Sequence, residues 1–177
     1  MIPAWLDEGI RIGVAGLLAY AAASKMADMA AFRRNLAGFV GVHDMAASVL
    51  APTVVGAEVA LALALAFASE SRIEALAAAL LAFTAFTLFL VRAYSTSGAV
   101  RCGCFGDGER PVSVHDVVRN MVILAALVVC AACAPSAEPL SVVEHVVAAA
   151  AALPPIVVLS RFHRFVVLLV HASDGAP

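Results

Sequence analysis

The run Arg101-Cys102-Gly103-Cys104-Phe105-Gly106 places two thiols one residue apart, in the one compact polar stretch of an otherwise apolar chain. That pairing is suited to thiol–disulfide exchange. A disulfide between Cys102 and Cys104 would close a very small ring, which is strained and more readily reduced than a structural bridge. Gly103 is the spacer that best tolerates such a turn. Arg101 and Arg110 lie beside the thiols, and nearby cations favour the thiolate, the nucleophilic form. A pair of unpaired surface thiols is the bland alternative, and exposed cysteines are generally avoided. Two thiolates with His115 would offer three ligands to Cu(I) or Zn(II). A fourth ligand is not evident and the spacing is not that of a zinc finger, so no metal site is expected.

A second pair, Cys130 and Cys133, stands at i, i+3 on one helical face. Helical rise carries Cys130 about 25 Å from the Cys102 segment, toward the opposite face of the bilayer, which excludes direct exchange between the pairs. These two cysteines are expected to be small apolar packing residues.

The elements that position these groups must be membrane helices. The 177 residues are 63% hydrophobic and only 14% charged, and the mean hydropathy is +0.99, whereas a soluble domain carries roughly 25% charge. The net charge of −2 is spread over scattered residues, which argues against nucleic acid as a partner and leaves the lipid bilayer as the surroundings. Apolar runs long enough to cross a bilayer extend from about Ile10 to Lys25, Ser48 to Ala68, Ile73 to Arg92, Ser113 to Ala134 and Leu140 to Leu159, the last expected to bend or break at Pro154-Pro155. Met26 to Met45 carries Phe32, Leu36, Phe39 and Val40 among Arg33, Arg34 and Asn35, the pattern of an amphipathic interfacial helix. The tail from Ser160, with Arg161, His163 and Arg164, is too short in its apolar part to cross again and reads as a second interfacial segment. Asp7 and Glu8 stand where a signal peptide would carry basic residues, so the first run is expected to be retained. The expected fold is an all-α membrane protein: a four-helix transmembrane bundle with a fifth transmembrane helix and interfacial helical segments, forming one integral membrane domain over residues 1–177.

Within those runs a few ionisable residues stand out, because a charge in the bilayer is costly and pairs or faces a polar cavity. Glu58 in the second run and Arg119 in the fourth lie at comparable depths beneath the Cys102 segment, and they are expected to pair across the bundle, with Lys25 as the alternative partner of Glu58. His115, one turn before Arg119, shares its face. The cluster Lys25, Glu58, Arg119 and His115 either supports the chemistry or only ties the helices together. Five crossings put the Cys102 segment, the first connection and the tail on one face, together with most of the cations, which by the positive-inside rule favours the cytoplasm.

Taken together, Ala23-Ser24-Lys25-Met26-Ala27-Asp28, the Phe32 to Phe39 segment, the Pro52-to-Glu58 spacing, the Arg-Cys-Gly-Cys-Phe-Gly run, and Ser113 with Arg119-Asn120 resemble the methylamine utilisation protein MauE family, within the broader DoxX-like membrane proteins. The resemblance covers about residues 8–134. It implies a multi-pass protein of the bacterial cytoplasmic (inner) membrane, acting in disulfide formation during maturation of an exported protein, in that family the methylamine dehydrogenase β-subunit, with a thioredoxin-like partner. On this reading Cys102 and Cys104 are the catalytic redox pair of a membrane thiol–disulfide oxidoreductase, and Lys25, Glu58 and Arg119 are family-matching polar positions. Delivery of disulfides to an exported client places the Cys102 loop on the extracytoplasmic side, where disulfides persist, against the count of cations. The membrane setting alone suggests quinone as the electron acceptor. A non-catalytic assembly chaperone, or a transporter of metal or a small solute through a polar cavity at Glu58 and Arg119, remain the alternative functions.

Overall fold

A computed structural model describes residues 4–67, 71–97, 112–133 and 141–162. Six helices account for nearly all of them: α1 (Ala4–Ala27), α2 (Met29–Val40), α3 (Asp44–Phe67), α4 (Arg72–Ser97), α5 (Val114–Cys133) and α6 (Val142–Ser160). No strand occurs among the described residues. Five of the helices, all but α2, are long and apolar enough to cross a membrane, as the apolar runs require.

The helix neighbours define a ring in which α1 packs on α3, α3 on α4, α4 on α5 and α5 back on α1, with α6 laid against the outside of α1. One core fills the ring, with Leu17 and Leu18 from α1, Leu65 from α3, Leu76 and Phe83 from α4, and Ile123 and Leu127 from α5. The outside is equally apolar. Phe67, Leu81 and Val142 are each more than 70% exposed, an arrangement that water would penalise and lipid tolerates, because apolar surface is not driven inward within a bilayer. The structure is thus the expected four-helix bundle with a fifth spanning helix.

Small residues bring α6 close to α1. A Cβ added to Gly9 would meet the Ala148 carbonyl oxygen at 3.4 Å, and one added to Gly13 would meet Ala152 Cβ at 3.7 Å. Small residues facing each other let two backbones approach and gain dispersion contacts where no hydrophobic force drives helices together. The helical run of α6 continues through Pro154 and Pro155 to Ser160, so the expected break is not there. A proline's φ is already helical, and what the ring removes is one backbone hydrogen bond per residue, a loss that transmembrane helices accommodate.

The amphipathic stretch between the first two runs is α2. Asp28 caps its start by accepting from the Ala31 amide at 2.9 Å, and Gly41 ends it in the left-handed region at φ 70°. Its inner face packs Phe32, Met29 and Leu36 against Ala22 of α1 and Ala51 and Val55 of α3. It therefore lies over the end of α1.

Candidate functional site

The last turn of α1 and the middle of α3 meet beneath α2, and two of the expected residues come together there. The Lys25 ammonium donates to both carboxylate oxygens of Glu58, at 2.7 and 2.9 Å, and reaches the Ala21 carbonyl oxygen at 3.5 Å. It also lies 5.5 Å from the centroid of the Phe32 ring, a cation–π distance. The Lys25 side chain is only 2% exposed and that of Glu58 18%. An unpaired charge in such a place would cost several kcal/mol, so the pair forms as a unit.

Glu58 is not paired with Arg119, contrary to the expectation from matching depths. Depth is shared by residues all round a bundle. In this ring α3 and α5 stand diagonally opposite, whereas α1 adjoins both, so Glu58 meets the cation of its neighbour. Arg119, 3% exposed, lies 3.6 Å from Asp116 one turn earlier. Asp116 also accepts from the amide and hydroxyl of Ser113, both at 3.0 Å, which fixes the start of α5. His115 does not join the Lys25–Glu58 pair. Its ring meets Phe162, just beyond α6, edge-on with centroids 6.4 Å apart. Cys102 and Cys104 lie outside the described residues. The segment carrying them leaves α4 at Ser97 and re-enters at Val112, and Val112 packs with Leu90 and Ala93 at this same end.

Sequence reasoning missed several groups here. Asp116 was signalled by Ser113-x-x-Asp116, a capping pattern. Asn120 is fully buried, and neither atom of its amide has a hydrogen-bond partner among the described residues. A partly open cavity of about 170 Å³ lies between α1, α3 and α4, lined by Lys25 and Glu58 together with Leu18, Leu61, Phe83 and Phe86.

At the opposite end of the bundle lies a second buried ionic cluster that the sequence did not announce. Arg11 donates to both oxygens of Glu8, at 2.6 and 2.7 Å, and His145 Nε2 stands 3.9 Å from Glu8. Arg72 bonds to Asp7. These contacts join the starts of α1, α4 and α6, as the alternation of crossings demands. Cys130 sits beside them, fully buried, with its sulfur 3.7 Å from the Asp7 carbonyl oxygen. It belongs to the core, as the packing expectation holds, while the side chain of Cys133 lies outside the described residues.

The spanning bundle and its buried ion pairs define a multi-pass membrane protein. The family model of the methylamine utilisation protein MauE matches residues 3–133. A curated relative, the methylamine utilization protein MauE of Paracoccus denitrificans, is 31% identical over 136 residues, covering 76% of this chain and 73% of the relative. The chain belongs to the MauE family. No solved structure matches it. The family match stops at the end of α5, so it contains the α1–α5 ring and leaves α6 outside.

Proposed function

We propose that this protein is a membrane thiol–disulfide oxidoreductase that works through Cys102 and Cys104, supporting disulfide formation in an exported protein together with a thioredoxin-like partner. The observation that carries the reading is the Cys-Gly-Cys run within the part of the chain that matches the MauE family. The name of the Paracoccus relative associates that protein with methylamine utilisation, and the proposed client is accordingly a disulfide-containing protein of that system. In the forward step a thiolate of the partner attacks one sulfur of the Cys102–Cys104 disulfide, the S–S bond breaks, and the other sulfur leaves as a thiolate. The second thiolate of the partner then attacks the mixed disulfide. The partner departs oxidised, and Cys102 and Cys104 are left as a dithiol holding two electrons. Arg101 and Arg110 favour the thiolate that leaves. The loop lies on the extracytoplasmic side of the bacterial inner membrane in this scheme, because the exported client acquires its disulfides there.

Labelling intact cells with a membrane-impermeant maleimide, before and after reduction, tests sidedness and redox state together. The expected result is protection in the oxidised wild type, labelling after reduction, and none at this loop in Cys102→Ser with Cys104→Ser. The same double variant should insert normally and leave the client unoxidised, since serine replaces cysteine with little change in size while removing the thiol. Wild-type client oxidation in the double Ser variant would sink the proposal.

A further inference from the structure

We infer that the cavity between α1, α3 and α4 is the binding site of the membrane electron acceptor, and that the acceptor is a quinone whose ring sits against Phe83 and Phe86 with a carbonyl oxygen toward Lys25. The inference rests on the thiol–disulfide reading for the source of the electrons, and on the cavity alone for the ligand. Oxidising two thiols to a disulfide releases two electrons and two protons. A quinone takes up both and becomes the quinol, so the step balances without any other reagent. Such an acceptor must be soluble in the bilayer, and the cavity lies among membrane-spanning helices.

The chamber fits this chemistry in size and in polarity. Its volume is about 170 Å³, and a chamber of roughly 150 Å³ lined by Leu, Ile and Phe side chains accepts a benzene ring. Phe83 and Phe86 lie three residues apart on one face of α4, where ring faces can stack on a planar ligand. The remaining walls are aliphatic apart from the single ion pair. A lipid acyl chain has no use for that ion pair. A quinone does, because its oxygen gains negative charge on reduction, and a buried ammonium 2% exposed acts on it in a setting of low dielectric. Both carboxylate oxygens of Glu58 accept from that ammonium and hold it in place. Phe86 further links the chamber to the redox segment, for it also packs on the Leu90, Ala93 and Val112 cluster where that segment re-enters the fold.

The test uses purified full-length protein in nanodiscs with decylubiquinone as the probe. Binding is read by calorimetric titration, and contact is mapped by cross-linking with an azido-benzoquinone followed by peptide mass spectrometry. Wild type should bind saturably and cross-link to α3 and α4. Ala82→Phe, which fills the chamber, should weaken binding at least tenfold. Phe86→Leu, a milder change in case the first fails to fold, should weaken it severalfold. Cys102→Ser with Cys104→Ser should bind as wild type does, which separates the cavity from the thiol chemistry. If that binding pattern is found but reduced wild-type protein does not convert the quinone to quinol, the site stands and the thiol–disulfide reading falls. If the thiols pass electrons onward while decylubiquinone only partitions without saturation, equally in wild type and Ala82→Phe, the cavity assignment is overturned.

Discussion

The Lys25–Glu58 pair gives a quantitative expectation for stability. Breaking a buried pair by removing one partner costs about 3–5 kcal/mol, mainly because the other charge is left unpaired. The two orphans are not equivalent. Glu58→Gln leaves the ammonium of Lys25, whose side chain is 2% exposed, without its carboxylate, whereas Lys25→Met leaves the carboxylate of Glu58, which is 18% exposed. Glu58→Gln should therefore cost about 4 kcal/mol and Lys25→Met about 3 kcal/mol or less, within the range for broken buried pairs. A loss of about 3 kcal/mol shifts the folded-to-unfolded ratio by roughly a hundredfold. The double variant should lose far less than the sum, with a coupling energy of about 2–3 kcal/mol. Reversible unfolding in mixed micelles, followed by helical circular dichroism, measures each of the four corners of the cycle. Arg119→Gln combined with Glu58→Gln should couple much more weakly, because those residues stand on diagonal helices. Additive losses for Lys25 and Glu58, or a stronger coupling of Glu58 to Arg119, would refute the reasoning.

Three further expectations follow from packing. Cys130→Ala with Cys133→Ala should retain client oxidation at a stability cost of about 1 kcal/mol, measured by the same unfolding assay; an inserted but inactive variant would reinstate a relay through these sulfurs. Gly13→Ala should be neutral or stabilising, since its Cβ finds Ala152 at an ordinary 3.7 Å, while Gly13→Leu should cost about 1–3 kcal/mol through overpacking against α6; equal effects of both would show that α1 and α6 are not in close contact. Asn120→Leu should raise stability by about 1 kcal/mol or more, because it removes a buried amide without partners among the described residues, and a loss of stability would mean that the amide is hydrogen-bonded in the membrane.

Much of this architecture was legible because the bilayer imposes a long apolar run on every spanning helix. Where the reading fell short, the missing information lay in partners distant along the chain. The first helix begins at Ala4 rather than Ile10, since Asp7, Glu8 and Arg11 look like the end of an apolar run until Arg72 and His145 arrive from α4 and α6 to share their charge. The partner of Glu58 could not be chosen from depth alone, as both Lys25 and Arg119 were available, and only the order of helices around the ring decides between them. Asp116 differs from these cases, for its capping pattern with Ser113 is local and was readable. The cavity has no local signal at all. Its walls come from three helices, and each contributes residues that read one by one as ordinary core.

The two ends of the bundle are built for different tasks. At the end formed by the starts of α1, α4 and α6, Arg72 reaches Asp7 from one helix and His145 approaches Glu8 from another. Charges used in this way report packing, so Arg11 and Arg72 say little about which face is cytoplasmic. At the other end Lys25 and Arg119 are likewise buried, each beside a carboxylate, and they too drop out of a topological count that concerns flanking loops. At this end the Lys25–Glu58 pair borders a chamber. A clamp requires only that opposite charges meet, and the Arg72–Asp7 contact meets that requirement. An ion pair that lines an apolar cavity, with two phenylalanines from one helix beside it and a thiol-bearing segment joined to the same end of the bundle, is what the proposed electron exchange requires: a fixed charge that answers the charge a bound acceptor would acquire.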